Sequence, residues 1–189
     1  MAGPSGIAQI LASQKRAGTL FNTYTTAKRV INDEDALPLP GNYFQTGARL
    51  RIRVKGALSN VVTTPGTFAF QVMMGTSNII AWTSGNLTFN ATARTLLPFS
   101  LDLDLRVDSI GTGTAAKFIG QAEFGGIHLT NADQKIQVPT TAPAVGTGWD
   151  SVATAGNVLD FFVAFSNSQA GNGVQLYAYD VEQLSGLSP

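Results

Sequence analysis

From Phe99 to Asp108 apolar and polar residues change places at every step: Phe99, Leu101, Leu103, Leu105 and Val107 alternate with Ser100, Asp102, Asp104, Arg106 and Asp108. An earlier stretch keeps the same period with the opposite charge, Arg49, Arg51, Arg53 and Lys55 standing between Leu50, Ile52 and Val54. Period two puts each set on its own face of a β-strand, whereas a helical repeat would scatter both around an axis. The chain must therefore contain two long strands with one face in a core and the other face charged. The basic and acidic rows further predict that these strands are neighbours. Arg49, Arg51, Arg53 and Lys55 are expected to face Asp102, Asp104 and Asp108, each opposed pair contributing ~0.2–1 kcal/mol.

Strand chemistry continues through most of the sequence. Thr23–Ile31, Ala48–Leu58, Phe68–Met74, Asn78–Ser84, Leu87–Asn90, Leu97–Asp108, Ala115–Leu129, Asn157–Asn167 and Val174–Leu184 are rich in β-branched and aromatic residues. Turn residues separate them, as at Thr64-Pro65-Gly66 and Ser84-Gly85-Asn86. Pro38 and Pro40 forbid a central strand over Leu37–Asn42. Thr130–Gly148 reads as a long loop, of the kind that binds something or lies across a neighbour. Gln169-Ala170-Gly171-Asn172-Gly173 reads as a hairpin connection between the last two strands. About nine strands without an internal helix predict an all-β fold, a two-sheet antiparallel β-sandwich of jelly-roll type.

The final pair of strands is apolar on both faces: Leu159, Phe161, Val163 and Phe165 on one, Phe162 and Ala164 on the other, then Leu176 and Ala178 against Tyr177, Tyr179 and Val181. A strand with one wet face alternates more cleanly. Either a long loop covers the outer face or a second subunit does, and Phe162, Tyr177, Tyr179 and Val181 are the candidate subunit contacts. Residues 1–18 form a separate N-terminal arm or short helix ahead of the sandwich domain, 19–189. Ser5 can cap it, and Ile7, Ile10 and Leu11 share one helical face. A helix this short is ordered only when docked, which makes those three apolar residues the candidate docking surface.

Composition narrows the function classes. The 189 residues suit one domain. Their formal net charge of +0 with only 13% charged residues gives no basic field to draw nucleic acid or an anionic membrane. Neutrality beside 44% hydrophobic content favours life inside an assembly. There is no cysteine, hence no disulfide or thiolate chemistry. Lys15 and Arg16 follow the apolar positions where an export signal has its basic residues first, so export is not expected.

No catalytic set emerges. His128 is the single histidine, too few for a zinc site without cysteine, and reads as a surface or loop residue. Alternate carboxylates on a strand stand roughly 7 Å apart, which serves ion pairing better than a shared proton or calcium. Gly111-Thr112-Gly113-Thr114-Ala115-Ala116 matches the loose dinucleotide fingerprint but runs into a strand where a nucleotide loop opens a helix. No Gly-x-Ser-x-Gly elbow occurs. Trp149, in Gly148-Trp149-Asp150, can stack on a sugar ring or anchor its loop by packing. No enzyme activity, cofactor or metal is expected.

Four segments together carry a resemblance: Leu39-Pro40-Gly41-Asn42-Tyr43-Phe44-Gln45-Thr46-Gly47, Leu50-Arg51-Ile52-Arg53-Val54-Lys55-Gly56, Thr64-Pro65-Gly66-Thr67-Phe68 and Leu97-Pro98-Phe99. This pattern, spread over Thr19–Phe124, resembles small virion proteins of tailed bacteriophages, of the head decoration or auxiliary type. The resemblance implies a capsid decoration or cement protein, made in the host cytoplasm and bound to the outside of the head. Its partners would be the major capsid protein and copies of itself, as a homotrimer. The alternative is a receptor- or carbohydrate-binding head of a tail fibre or spike, with Trp149 and the Thr130–Gly148 loop as contact surface. No set of functional residues comes over with the family.

Overall fold

In the computed structural model, residues 8–22, 25–61, 63–75, 79–126, 135–139, 144–147, 149–151 and 156–185 are described. They form β1 (Gln9–Ser13), β2 (Phe21–Asn22), β3 (Lys28–Arg29), β4 (Leu37–Leu39), β5 (Arg49–Asn60), β6 (Thr67–Met74) and β7 (Ile79–Thr83). After these come β8 (Leu87–Thr88), β9 (Arg94–Ser109), β10 (Lys117–Gly126), β11 (Ile136–Val138), β12 (Ala144–Thr147), β13 (Asn157–Phe165) and β14 (Gly173–Ser185). Two short 3-10 turns, Asp33–Asp35 and Gly113–Ala115, are the helical elements among the described residues.

The pairing runs inward from the ends of the chain. β1 pairs with β14, β3 and β4 with β13, β5 with β9, and β6 with β7, all antiparallel. A long hairpin rolled up on itself produces this order, and it is the jelly-roll arrangement. One sheet reads β1-β14-β5-β9-β10-β11 and the other β3-β13-β6-β7, with β2, β12, β4 and β8 pairing off these paths. Thus the fold is an all-β sandwich of two antiparallel sheets.

The alternation of β5 and β9 directs Leu50, Ile52 and Val54, with Leu101, Leu103 and Leu105, into the space between the sheets, where each is essentially inaccessible. The opposite sheet supplies Phe68, Phe70, Val72, Leu159, Phe161 and Val163. Phe70 sits among aromatic neighbours, its ring centroid 5.3 Å from Phe99, 5.8 Å from Phe124 and 5.8 Å from Phe161. Such offset and tilted pairs contribute about 0.5–1.5 kcal/mol each beyond area burial. Gly146 brings β12 against β7: a Cβ there would lie 1.9 Å from the Ala81 carbonyl oxygen, so only glycine permits the approach.

Four expectations change. The expected N-terminal helix is a strand where the structure describes it, Gln9–Ser13, paired to β14 with a bulge between Ile10 and Ala12; Ser5 and Ile7 lie outside the described residues. The open edge of β14 offers backbone partners along its length, which an isolated short helix in water lacks. On that strand Leu11 packs partly on the core while Ile10 is 65% exposed, so the two do not form one apolar face.

The 169–173 connection is not a hairpin. β13 lies in one sheet and β14 in the other, so this segment crosses the sandwich. Its glycines and asparagine serve the crossover: the fully buried Asn172 accepts from the Val61 backbone N–H at 3.0 Å and donates to the Pro65 carbonyl at 2.7 Å. The presumed Thr130–Gly148 loop contains β11 and β12, both paired to β10.

The fourth change concerns the two-sided apolar strands. Phe162 is buried within the single chain, and Tyr179 and Val181 are fully buried, so none of the three is available to a second subunit. A β-bulge is the cause. Leu176 pairs with Gly56 and Ala178 with Lys55, leaving Tyr177 as the extra residue. Strict alternation restarts after it, which sends Tyr179 and Val181 inward and leaves Tyr177 51% exposed.

Candidate binding surface

The outer face of the larger sheet carries the charged rows. Backbone register places Arg51 opposite Asp104 and Arg53 opposite Asp102. The side chains reach diagonally instead. Arg49 pairs with Asp104, and Arg51 makes a two-point contact with Asp102, its Nε donating at 2.8 Å. The same diagonal from Arg53 would end on Ser100, which register places opposite Lys55, and Arg53 turns to Glu182 on β14 at 2.9 Å. Asp108 does not face β5 at all: it pairs with Arg106 of its own strand at 3.4 Å.

The hydrogen bond from Arg51 holds the Asp102 carboxyl below the usual carboxylate range, against the opposing effect of partial burial. Both partners are more than a third exposed, so water screens the pair. A double-mutant cycle on Arg51→Ala and Asp102→Ala should give a coupling of ~0.2–1 kcal/mol in urea unfolding, and one on Arg51 and Asp104 a smaller value. Equal couplings would contradict the diagonal geometry.

Lys55 stands at the end of this row. Its register neighbours are Ala178 on β14 and Ser100 on β9, both neutral, with Gly125 next on β10. The carboxylates nearest along the strands are engaged: Asp102 by Arg51, Glu182 by Arg53, and Asp180 by the Ser13 hydroxyl at 2.6 Å. Lys55 has no ion-pair partner among the described residues.

Beside Lys55 the face becomes apolar. An open groove of about 550 Å³ is lined by Lys55, Gly56, Pro98, Phe99, Ser100, Gly125, Gly126, Tyr177 and Ala178. The bulge projects Tyr177 as its aromatic wall. Glycine keeps its base flat on the β10 side: a Cβ at Gly125 would stand on the outer face, 3.1 Å from the Ser100 hydroxyl oxygen. Polar groups sit at the margin, namely the Lys55 ammonium and the Ser100 hydroxyl. The result is a flat apolar seat with a charged edge.

Two other grooves are closed to new partners by their own chemistry. One, of about 530 Å³, lies over the charged rows, where Arg49, Arg51 and Lys135 meet Asp104, Asp102 and Glu123. The other, of about 460 Å³, is bordered by Arg16, Arg29, Asp33 and Glu34. There Arg16 pairs with Glu34 at 3.1 Å, and Arg29 bridges Asp33 at 2.6 Å and the buried Asp160. Burial pushes the Asp160 carboxyl up while Arg29 opposes the rise.

Other sequence candidates are placed as follows. Trp149 is fully buried, stacked on Phe118 with centroids 4.3 Å apart and edge-on to Phe44 at 5.2 Å, so it cannot serve as a sugar platform. His128 lies outside the described residues. Gly113–Ala115 turns between β9 and β10, both strands, leaving no helix N-terminus for a phosphate. Among the described residues no group of three His, Asp or Glu could hold a metal ion. Among the described residues no helix is long and apolar enough to cross a membrane. No local motif marks the Tyr177 groove, because its lining comes from four strands, β5, β9, β10 and β14, and nothing in the sequence joins Gly56, Pro98 and Gly125.

No family model matches the chain, and no curated protein matches it. Among solved structures, the chain is similar to the CBM2 module of the evolved Dit of Lactobacillus casei BL23 phage J-1, at 9% identity over 96% of this chain and 98% of that one, with a TM-score of 0.35.

Proposed function

We propose that this chain is a non-enzymatic binding protein of a tailed-phage particle and that its Tyr177 groove seats a saccharide. The groove carries the reading. A pyranose ring has apolar C–H faces and a hydroxylated rim, and it matches a flat apolar base, an exposed phenol ring and polar groups confined to the margin. The phage assignment is supported by the resemblance of the Leu39–Gly47 and Leu50–Gly56 segments to small virion proteins. Trp149 is buried, and Ile10 and Leu11 sit on a strand where they do not share one apolar face.

A glycan array probed with the purified chain should give binders, and Tyr177→Ala should abolish them. Because Tyr177 is exposed, its loss should change stability by no more than about 0.5 kcal/mol, checked by urea unfolding. An array without binders, or binding indifferent to Tyr177→Ala, overturns the reading.

One observation favours a second reading, a cement protein that self-associates and bridges major capsid proteins on the head surface. Ile10 is 65% exposed on the edge strand β1, where another chain could cover it. Particle images with this chain labelled separate the two: copies across the whole head favour cement, and a few copies at the tail favour receptor binding.

A further inference from the structure

We infer that the ligand of the Tyr177 groove is an acidic saccharide whose carboxylate pairs with Lys55, an inference that rests on the saccharide reading above. Every arginine on the outward face of β5 has a carboxylate: Arg49 has Asp104, Arg51 has Asp102 and Arg53 has Glu182. Lys55 alone in that row has none among the described residues, and it is the one that borders the groove. The diagonal reach explains why. The position that would serve Lys55 on β9 is occupied by Pro98, opposite Ala57, and the acidic run begins only at Asp102. No carboxylate on β9 lies within that diagonal reach of Lys55.

The neighbours of Lys55 strengthen the assignment. Ala178, Ser100 and Gly125 are neutral and small, so an anion over them meets no bulky side chain, and the next carboxylate along that face of β14, Asp180, is held by the Ser13 hydroxyl at 2.6 Å. Ser100 can donate to a ring hydroxyl or to the second carboxylate oxygen. Tyr177 and the glycine base take the apolar ring face, and a carboxylate carried on the ring edge falls on the Lys55 side. A charge-assisted hydrogen bond of this kind gives a preference of about tenfold over the uncharged sugar.

Oligogalacturonate and its fully methyl-esterified counterpart form the test pair, because they differ only at the carboxyl group, an anion in one and a neutral methyl ester in the other. Calorimetric titration of the full chain should show the acid form bound about tenfold more tightly, with the gap narrowing in high salt. Lys55→Gln, on an exposed position, should fold normally and bind both forms with one affinity. Equal binding of acid and ester by the unaltered chain overturns the acidic-ligand inference and leaves the saccharide reading standing. Binding of neither overturns the acidic-ligand inference, and the glycan array alone then decides the saccharide reading. A preference that survives Lys55→Gln removes Lys55 from the site, and a poly-glutamate peptide that competes as well as the acid sugar reassigns the groove to acidic peptides.

Discussion

Replacing Trp149 with alanine will lower the unfolding free energy by about 3–5 kcal/mol, the cost of removing a large aromatic side chain from a packed core. The indole is inaccessible and forms a three-ring cluster, stacked on Phe118 at 4.3 Å and edge-on to Phe44 at 5.2 Å, with Phe44 edge-on to Phe118 at 5.4 Å. The cluster fastens a connecting segment to the β9–β10 turn. Ser151 completes the attachment: its backbone N–H donates to the Gly111 carbonyl at 3.0 Å, and its hydroxyl accepts from the Gly111 N–H at 2.6 Å. Trp149→Phe keeps an aromatic ring in the cluster and should cost much less. Urea unfolding followed by circular dichroism measures both. The folded fraction of Trp149→Ala should still bind at the Tyr177 groove, since Trp149 is not among its lining residues. An unchanged unfolding midpoint would mean that the indole is not part of the core.

The two rows that open the sequence identify β5 and β9 and their inward faces, because period two allows no other element to bury Leu50, Ile52, Val54, Leu101, Leu103 and Leu105 together. Two sheets and a sandwich follow from many such strands. The diagonal choice of Arg51 for Asp102 over Asp104 does not, since it depends on the twist of the pair and on side-chain reach. The bulge at Tyr177 is silent in sequence as well: one extra residue reverses the facing of everything after it, and nothing in Leu176-Tyr177-Ala178 announces the break. That one residue separates a buried Tyr179 from an exposed Tyr177, and with it the candidate binding surface from the core. The crossover at 169–173 fails for a related reason, since glycine and asparagine mark a reversal of the chain without saying to which sheet it returns. The groove needs Gly56, Pro98 and Gly125 side by side, an adjacency that exists only after β5, β9 and β10 have paired.

Arg29→Met will destabilise the chain by about 3–5 kcal/mol at neutral pH, because it leaves the buried Asp160 without its cation. Asp160 is 1% exposed, and Arg29 contacts it through both Nε and Nη2. Among the described residues the carboxylate's other partner is the Phe161 backbone N–H at 2.8 Å. Burial already raises the Asp160 carboxyl above its ordinary value, with Arg29 resisting the rise. The folded state of the unaltered chain therefore holds the Asp160 proton to higher pH than the unfolded state does. Its contribution is fullest below the unfolded carboxylate value of ~3.9 and fades as pH rises through the raised folded value. Removing Arg29 raises the folded value further. The unfolding free energy of Arg29→Met should then fall with increasing pH from about 4 upward, by as much as ~1.4 kcal/mol per unit while Asp160 stays protonated only in the fold. Asp102 has the opposite sign: its lowered carboxyl stabilises above the unfolded value and loses that contribution as pH falls, but its exposure keeps the term small. Asp160→Asn in the Arg29→Met background removes the uncompensated charge and should recover most of the stability with a flattened pH slope. Urea unfolding across this pH range reads all three chains. An Arg29→Met curve that is flat or rises with pH, or a double variant no more stable than Arg29→Met, would mean that Asp160 is solvated or neutralised by other means.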